Sequence, residues 1–192
     1  MFFNSAKSQK IKEFYKPFEE PLKKILKPDT HYQAVLHTEK GDVTLELFVE
    51  DAPNHVALFV SLVRKKEYEN ARFYRVVKSF VTQTGPTKGE THILPIKAEI
   101  NHHDHLQGMV SMAHGKNIDS AKGSIFICLG AIPSLNGEFT VFGKVLSGLD
   151  ILQSLTVGSI LAEDLEYYKA DFQGDILKSV SILESSDFPE KK

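Results

Sequence analysis

Arg75, Phe80 and Gln83 fall within nine residues of one another in the stretch FYRVVKSFVTQTG, Phe73 to Gly85. Arginine carries a permanent charge and several directed N–H donors, an aromatic ring supplies an apolar surface, and a primary amide both donates and accepts. Around one hollow, these three types make a site that binds and polarises by hydrogen bonding, without a nucleophile or a proton-transfer pair. Strict strand alternation would separate them, because a shift of one residue exchanges the faces of a strand. Val76 and Val77 precede a Lys78-Ser79 pair, and Phe80 and Val81 follow it. The pattern is therefore two short strands meeting at a bend, and the offset at the bend brings Arg75, Phe80 and Gln83 toward one surface.

The elements that must carry this bend are short strands. "QAVLHT", the turn "EKGD" and "VTLELFV" read as a hairpin with Val43, Leu45, Leu47 and Val49 on one face. "DAPNHVALFVSLVRKK" changes to helical spacing at Val56, Phe59, Val60 and Val63, with Pro53 near its start. Further strands are expected at Arg72–Val77, Phe80–Thr84, Met109–Ala113, Ser124–Leu129, Phe139–Leu146 and Ile176–Leu183, and a second helix at Leu149–Leu155. The expected fold is all-β with two helices: eight antiparallel strands closed into a barrel, with the helices capping its ends. The interval Gly85 to Gln107 lacks periodicity and is expected along the surface beside a site. Residues 1–30 form an N-terminal extension, partly helical, in which Ile11, Phe14, Tyr15, Phe18, Leu22 and Ile25 recur at helical steps around Pro17 and Pro21. Residues 31–185 make the domain, and 186–192 a C-terminal tail.

Composition narrows the function. A chain of 192 residues with 42% hydrophobic residues can bury one full core. Its net charge of -2 and the lack of a basic stripe with interleaved aromatics exclude nucleic acid as an expected partner. No apolar run of about 18 residues and no signal-like N-terminus is present, so no membrane partner and a cytoplasmic location are expected. Cys128, the only cysteine, sits in the apolar run SIFICLG and reads as a small buried hydrophobe. His102, His103 and His105 surround Asp104, but adjacent histidines in a loop rarely converge on one ion, and no metal is expected. "TGPTKG" lacks the phosphate-loop spacing and ending.

Four runs in series, FYRVVKSFVTQTG, GMVSMA, GSIFICLG and LNGEFTVFGKVLSGLDIL, resemble the cyclophilins, the cyclosporin-binding class of peptidyl-prolyl cis-trans isomerases. The likeness runs from about Ala34 to Leu183. It implies a closed barrel of the kind counted above, and proline-containing polypeptides as substrates, turned over by a monomer without a cofactor. It places the substrate-contacting arginine on Arg75, the phenylalanine beneath the proline ring on Phe80, and the backbone-holding glutamine on Gln83. Val81, Phe126, Leu135 and Phe139 complete the implied proline pocket, and Ala113 and His114 match the segment that pairs with extended peptide. Departures are Val81 for a methionine, Phe139 for a histidine or tyrosine, Ser124 for a second glutamine and Ser134 for a tryptophan. The last of these removes a cyclosporin contact, so the drug is expected to bind weakly.

The implied chemistry is a bond rotation. The X-Pro bond turns slowly because amide resonance sets a barrier of about 18–20 kcal/mol. At the twisted transition state the prolyl nitrogen gains a lone pair that the planar amide lacks, and a donor aimed there stabilises only that state. The alternative is a non-catalytic proline-peptide-binding module on the same fold. Retention of the arginine favours the enzyme, since a binder needs no donor at the prolyl nitrogen.

Overall fold

The computed structural model describes residues 23–187. The amphipathic set from Ile11 to Leu22 lies outside the described residues, as does the end of the tail. Ten strands form one sheet: β1 (His31–Thr38), β2 (Gly41–Leu47), β3 (Ala71–Arg72), β4 (Arg75–Val76), β5 (Val81–Thr84), β6 (Met109–Met112), β7 (Ile125–Cys128), β8 (Val141–Ser147), β9 (Gly158–Ser159) and β10 (Ile176–Ser185). Among the described residues two α-helices accompany them, α1 (Pro53–Arg64) and α2 (Leu149–Gln153).

The strand order is β3-β10-β1-β2-β8-β6-β7-β5-β4-β9, with antiparallel pairing at each ladder. This corrects the expected closed eight-stranded barrel: the sheet is open and strongly curled, and no ladder joins its two end strands. The expected strand Arg72–Val77 is broken at Phe73-Tyr74. Its first part pairs with β10 and its second with β5, so the ladder passes from one neighbour to the other instead of running continuously between both. Arg72 and Arg75 are only three residues apart, at most about 11 Å at 3.8 Å per step. That short link forces the curl. The tenth strand is β9, a two-residue strand in a segment with no sequence periodicity, which takes the outer edge of β4.

The interior face is filled by alternating residues. Ala34, Leu36, Val43 and Leu45 from the β1–β2 hairpin meet Ile125, Ile127, Val110 and Phe142, all of them buried. Helix α1 covers this core with Val56, Phe59, Val60 and Val63, and the Phe59 ring lies 5.6 Å from that of Phe142. Its N-terminus is capped from a distance. The Glu99 carboxylate accepts from the backbone N–H of Asn54 and His55 and from the Asn54 amide, with His55 Nδ1 2.6 Å away. Pro53 has no N–H and Ala52 N–H donates to the Phe48 carbonyl, so the N–H groups of Asn54 and His55 are the ones the first turn leaves unpaired, and they and the positive end of the helix explain the placement of a carboxylate there. Of the extension, the described part lies against the domain: Ile25 and Leu26 pack on the core, and Arg64 donates to the Ile25 carbonyl.

Candidate functional site

The opposite face of the same strands bears a second apolar cluster: Val81, Phe126, Cys128 and Ile132, flanked by Phe80, Ala113, Leu135 and Phe139. The alternation that sends Ile125 and Ile127 inward sends Phe126 and Cys128 outward. Burial among these side chains pushes the Cys128 thiol up to about 12, so it is a packing residue and not a nucleophile.

The bend in the opening motif is a hairpin. Val77 N–H donates to the Val81 carbonyl and Phe80 N–H to that of Val77, with Ser79 in the left-handed region at φ 58°. Arg75 then lies directly opposite Gln83, and Gln83 opposite Phe126, which in turn faces Ser111. Residues directly opposite one another share a face. One cross-sheet row therefore carries Arg75, Gln83 and Phe126. The turn that supplies Phe80 is seated by Leu129 N–H, which donates to the Phe80 carbonyl at 2.7 Å. Gly130 makes that approach possible, because a Cβ there would stand 2.5 Å from the Ser79 carbonyl oxygen.

A cavity of about 220 Å³ opens over this row, lined by Arg75, Phe80, Val81, Gln83, Ala113, His114, Phe126, Leu135 and Phe139. All nine expected site residues are thus brought together. Phe126 and Phe139 meet edge to face at 5.3 Å, His114 stacks on Phe139 at 4.3 Å, and the Arg75 guanidinium lies 5.5 Å from the Phe80 ring centroid. Behind the floor, the buried His105 sits 3.0 Å from Ser111 Oγ, its ring stacked on Phe126 at 5.9 Å. Burial lowers its pKa, against the hydrogen bond with Asn136 and the charge of Asp104, which raise it.

Ala113 N–H is committed to the Ser124 carbonyl at 2.7 Å. His114 keeps backbone groups without a backbone partner among the described residues, so the edge open to an extended peptide is at His114 more than at Ala113. The interval 85–107, expected beside the site, does not line this cavity. Gly85, Pro86, Thr87, Gly89 and Glu90 line a separate depression with Ser124 and Tyr74.

Three residues escaped the sequence reading. Leu161 and Glu163 complete the cavity wall. Asp164 takes a two-point ion pair from Arg75, with Nε to Oδ2 at 2.8 Å and Nη2 to Oδ1 at 2.7 Å. Ser159, paired with Arg75 across β9, donates to the same carboxylate at 2.5 Å. Burial alone would raise the Asp164 carboxyl. The hydrogen bonds from Arg75 and Ser159 and the charge of Arg75 outweigh it and hold the pKa below the usual value. Gln83 is fixed as well, its Oε1 3.4 Å from Arg75 Nη1 and its Nε2 donating to the Tyr74 hydroxyl at 2.9 Å. The one sequence signal for this wall was the twenty-odd residues between α2 and β10 without an assigned element, a length seldom idle in a compact domain.

Residues 34–179 match the family described as cyclophilin type peptidyl-prolyl cis-trans isomerase/CLD. A peptidyl-prolyl cis-trans isomerase of Helicobacter pylori is 37% identical over 152 residues, covering 77% of this chain and 85% of the relative. One from Synechococcus elongatus is 40% identical over 132 residues, covering 66% and 90%. Among solved structures, a cyclophilin type peptidyl-prolyl cis-trans isomerase of Cryptosporidium parvum is similar with a TM-score of 0.68 at 25% identity, covering 80% of this chain and 98% of that one. The structure of the same protein in the presence of the dipeptide Ala-Pro gives a TM-score of 0.65, also at 25% identity, over 79% of this chain and 98% of that one.

Proposed function

The chain belongs to the cyclophilin-type peptidyl-prolyl cis-trans isomerase family, and from that premise we propose that the cavity over Arg75, Phe80, Gln83 and Phe126 is where it turns X-Pro bonds. The observation that carries the assignment is the disposition of Arg75. Of its five N–H groups, three are engaged: two on Asp164 and one toward Gln83. The guanidinium plane is thereby fixed at the cavity wall, with a proton to spare on each terminal nitrogen.

The proline ring enters among Phe80, Val81, Phe126, Leu135 and Phe139, which exclude water from it. Gln83 and the backbone at His114 hold the flanking peptide, so that rotation is confined to one bond. As the amide twists, the prolyl nitrogen becomes pyramidal and accepts a hydrogen bond from Arg75, an interaction the planar ground state cannot make. One charge-assisted hydrogen bond contributes roughly 1.5–3 kcal/mol, or one to two powers of ten in rate. The apolar enclosure and the anchoring of the flanks supply the remainder. No step requires a cofactor.

Proline-containing polypeptides in the cytoplasm are the proposed substrates. The likeness to the protein studied with Ala-Pro supports the substrate class, and a single buried thiol suits a reducing compartment. A protease-coupled assay on a short proline peptide tests the proposal: catalysed decay of the cis isomer is expected, and binding without acceleration would overturn it in favour of a peptide-binding module. Cyclosporin binds weakly on the same reading, because the exposed Ser134 lacks an indole surface and donor. Ser134→Trp should tighten cyclosporin in a titration, and an unmodified protein that already binds as tightly as the variant would show that the rim is misassigned.

A further inference from the structure

Outside the isomerase pocket, three potential metal ligands converge at the turn that precedes α1. Asp51 Oδ2 lies 2.9 Å from His103 Nε2, and Asp51 Oδ1 lies 3.9 Å from His102 Nδ1. The three ligand atoms all fall within 4.8 Å of one another. From sequence, His102, His103 and His105 are not expected to bind a metal, because adjacent histidines in a loop rarely converge on one ion. That holds for His105, which is buried against Ser111 and Asn136. It does not hold for the other pair, whose chain bends at His102 and whose rings lie 4.2 Å apart at 34°. Asp51 is contributed from fifty residues earlier, which no local spacing announces.

A histidine–aspartate hydrogen bond accounts for His103 and Asp51 alone. It does not account for His102, whose side chain is 77% exposed, yet has its Nδ1 near the same carboxylate although water is available on its other sides. The remaining positions are held in place. His103 stacks on Phe48 at 4.4 Å, and its backbone N–H donates to Asn101 Oδ1. Asn101 in turn donates to the Val141 carbonyl on β8 at 2.8 Å. Two ligands are thus seated on the sheet and the helix turn, and the third is free to swing a short way.

We propose that Asp51, His102 and His103 bind a divalent transition-metal ion, zinc foremost, which clasps the turn before α1 to the loop 101–105. Ligand atoms about 2.0–2.1 Å from a tetrahedral zinc stand about 3.4 Å from each other, and the three here, all within 4.8 Å of one another, reach that spacing by a small movement of the exposed His102 side chain. Two imidazoles and one carboxylate suit zinc, cobalt, nickel or copper and not magnesium or calcium, which take all-oxygen sites. Three protein ligands leave at least one position for water.

The test is calorimetric titration of Zn²⁺ into the metal-free, untagged full-length protein, beside His102→Ala, His103→Ala and the double variant. One site is expected in the parent, with affinity at least about tenfold lower in each single variant. Mg²⁺ in large excess should not compete. Zn²⁺ should raise the thermal midpoint of the parent and leave that of the double variant unmoved, because only the clasp couples binding to folding. His102 is exposed, so its removal leaves the fold intact and keeps the comparison valid. Paramagnetic broadening by Co²⁺ should centre on the 51 and 101–103 amides. Binding unchanged in the double variant, broadening centred on other histidines, or no binding up to about millimolar Zn²⁺, the upper range of weak oxygen-ligand sites, would each overturn the proposal.

Discussion

The two walls of the pocket differ in how they are made. One wall is sheet: Arg75, Gln83 and Phe126 stand opposite each other on β4, β5 and β7, and their positions follow from strand register. The other wall is a loop after α2 and β9, where Leu161, Glu163 and Asp164 are held by a few irregular contacts, such as Leu161 N–H to Ser159 Oγ at 2.9 Å and Tyr167 N–H to the Asp164 carbonyl. The sheet wall carries the groups proposed to meet the reacting bond, whereas the loop wall carries a carboxylate that meets the arginine and Ser159. A scaffold thus fixes the chemistry, and a less regular segment is left to adjust it.

If that division of labour is right, the largest effect comes from the sheet wall. Arg75→Ala should lower kcat/KM roughly 10- to 100-fold or somewhat more, with the affinity for a proline peptide changing much less, since the lost hydrogen bond grows only as the amide twists. Exchange NMR on a proline peptide measures both quantities. Full activity in a folded Arg75→Ala variant would mean that the guanidinium is a structural partner of Asp164 and nothing more.

The same division explains what was legible in the sequence. A period of two and a bend at Lys78-Ser79 sufficed to place Arg75, Phe80 and Gln83 on one surface, because strand faces and short turns are local properties. Seven of the eight expected strands exist within a few residues of their expected ends, and the eighth, Arg72–Val77, is split into β3 and β4. Closure was not legible, since the exchange of partners at Phe73-Tyr74 depends on where β10 and β5 arrive in space. Asp164 was invisible for a related reason: its partner lies 89 residues away, and the two-residue strand β9 that steers it has no periodicity to read. Glu99 as the cap of α1, and Asp51 beside His103, are long-range pairs of the same kind.

The next effect in size lies on the boundary between the walls. Asp164→Ala frees the guanidinium that the sheet presents, and should lower kcat about 3- to 10-fold while KM stays near that of the parent. Asp164→Glu should recover part of the loss, which a general weakening of the loop would not allow. The pH dependence sharpens the point. A carboxylate whose folded pKa is lowered keeps its contribution above the unfolded value, near 3.9, and loses it as pH falls through the still lower folded value. The Asp164 contribution should therefore be constant from pH 5 to 8 and fall only below about pH 4, where the parent and Asp164→Asn should converge in rate. A limb between pH 5 and 8 that disappears in Asp164→Asn would overturn the assignment, and so would faster catalysis in Asp164→Ala, which would make the ion pair a brake.

The smallest effect belongs to the loop wall alone. Glu163 is exposed, lines the cavity, and, without an ion-pair partner among the described residues, puts a negative charge beside the proposed path of the peptide. Such a charge cannot act on the twisting amide, which is neutral, but it attracts a lysine or arginine flanking the proline. Because it is solvated, its influence on kcat/KM should be modest, roughly 2- to 5-fold between peptides with a basic and an acidic neighbour. Salt at about 0.5 M should erase most of the preference, since exposed charges are screened within a few ångströms at that strength. Glu163→Lys should reverse the preference without altering turnover of a peptide with uncharged neighbours. Measuring kcat/KM for three such peptides at low and high salt decides the matter. A preference that survives both Glu163→Lys and high salt would have to arise on the sheet wall, and substrate selection would then belong to the same scaffold that carries Arg75.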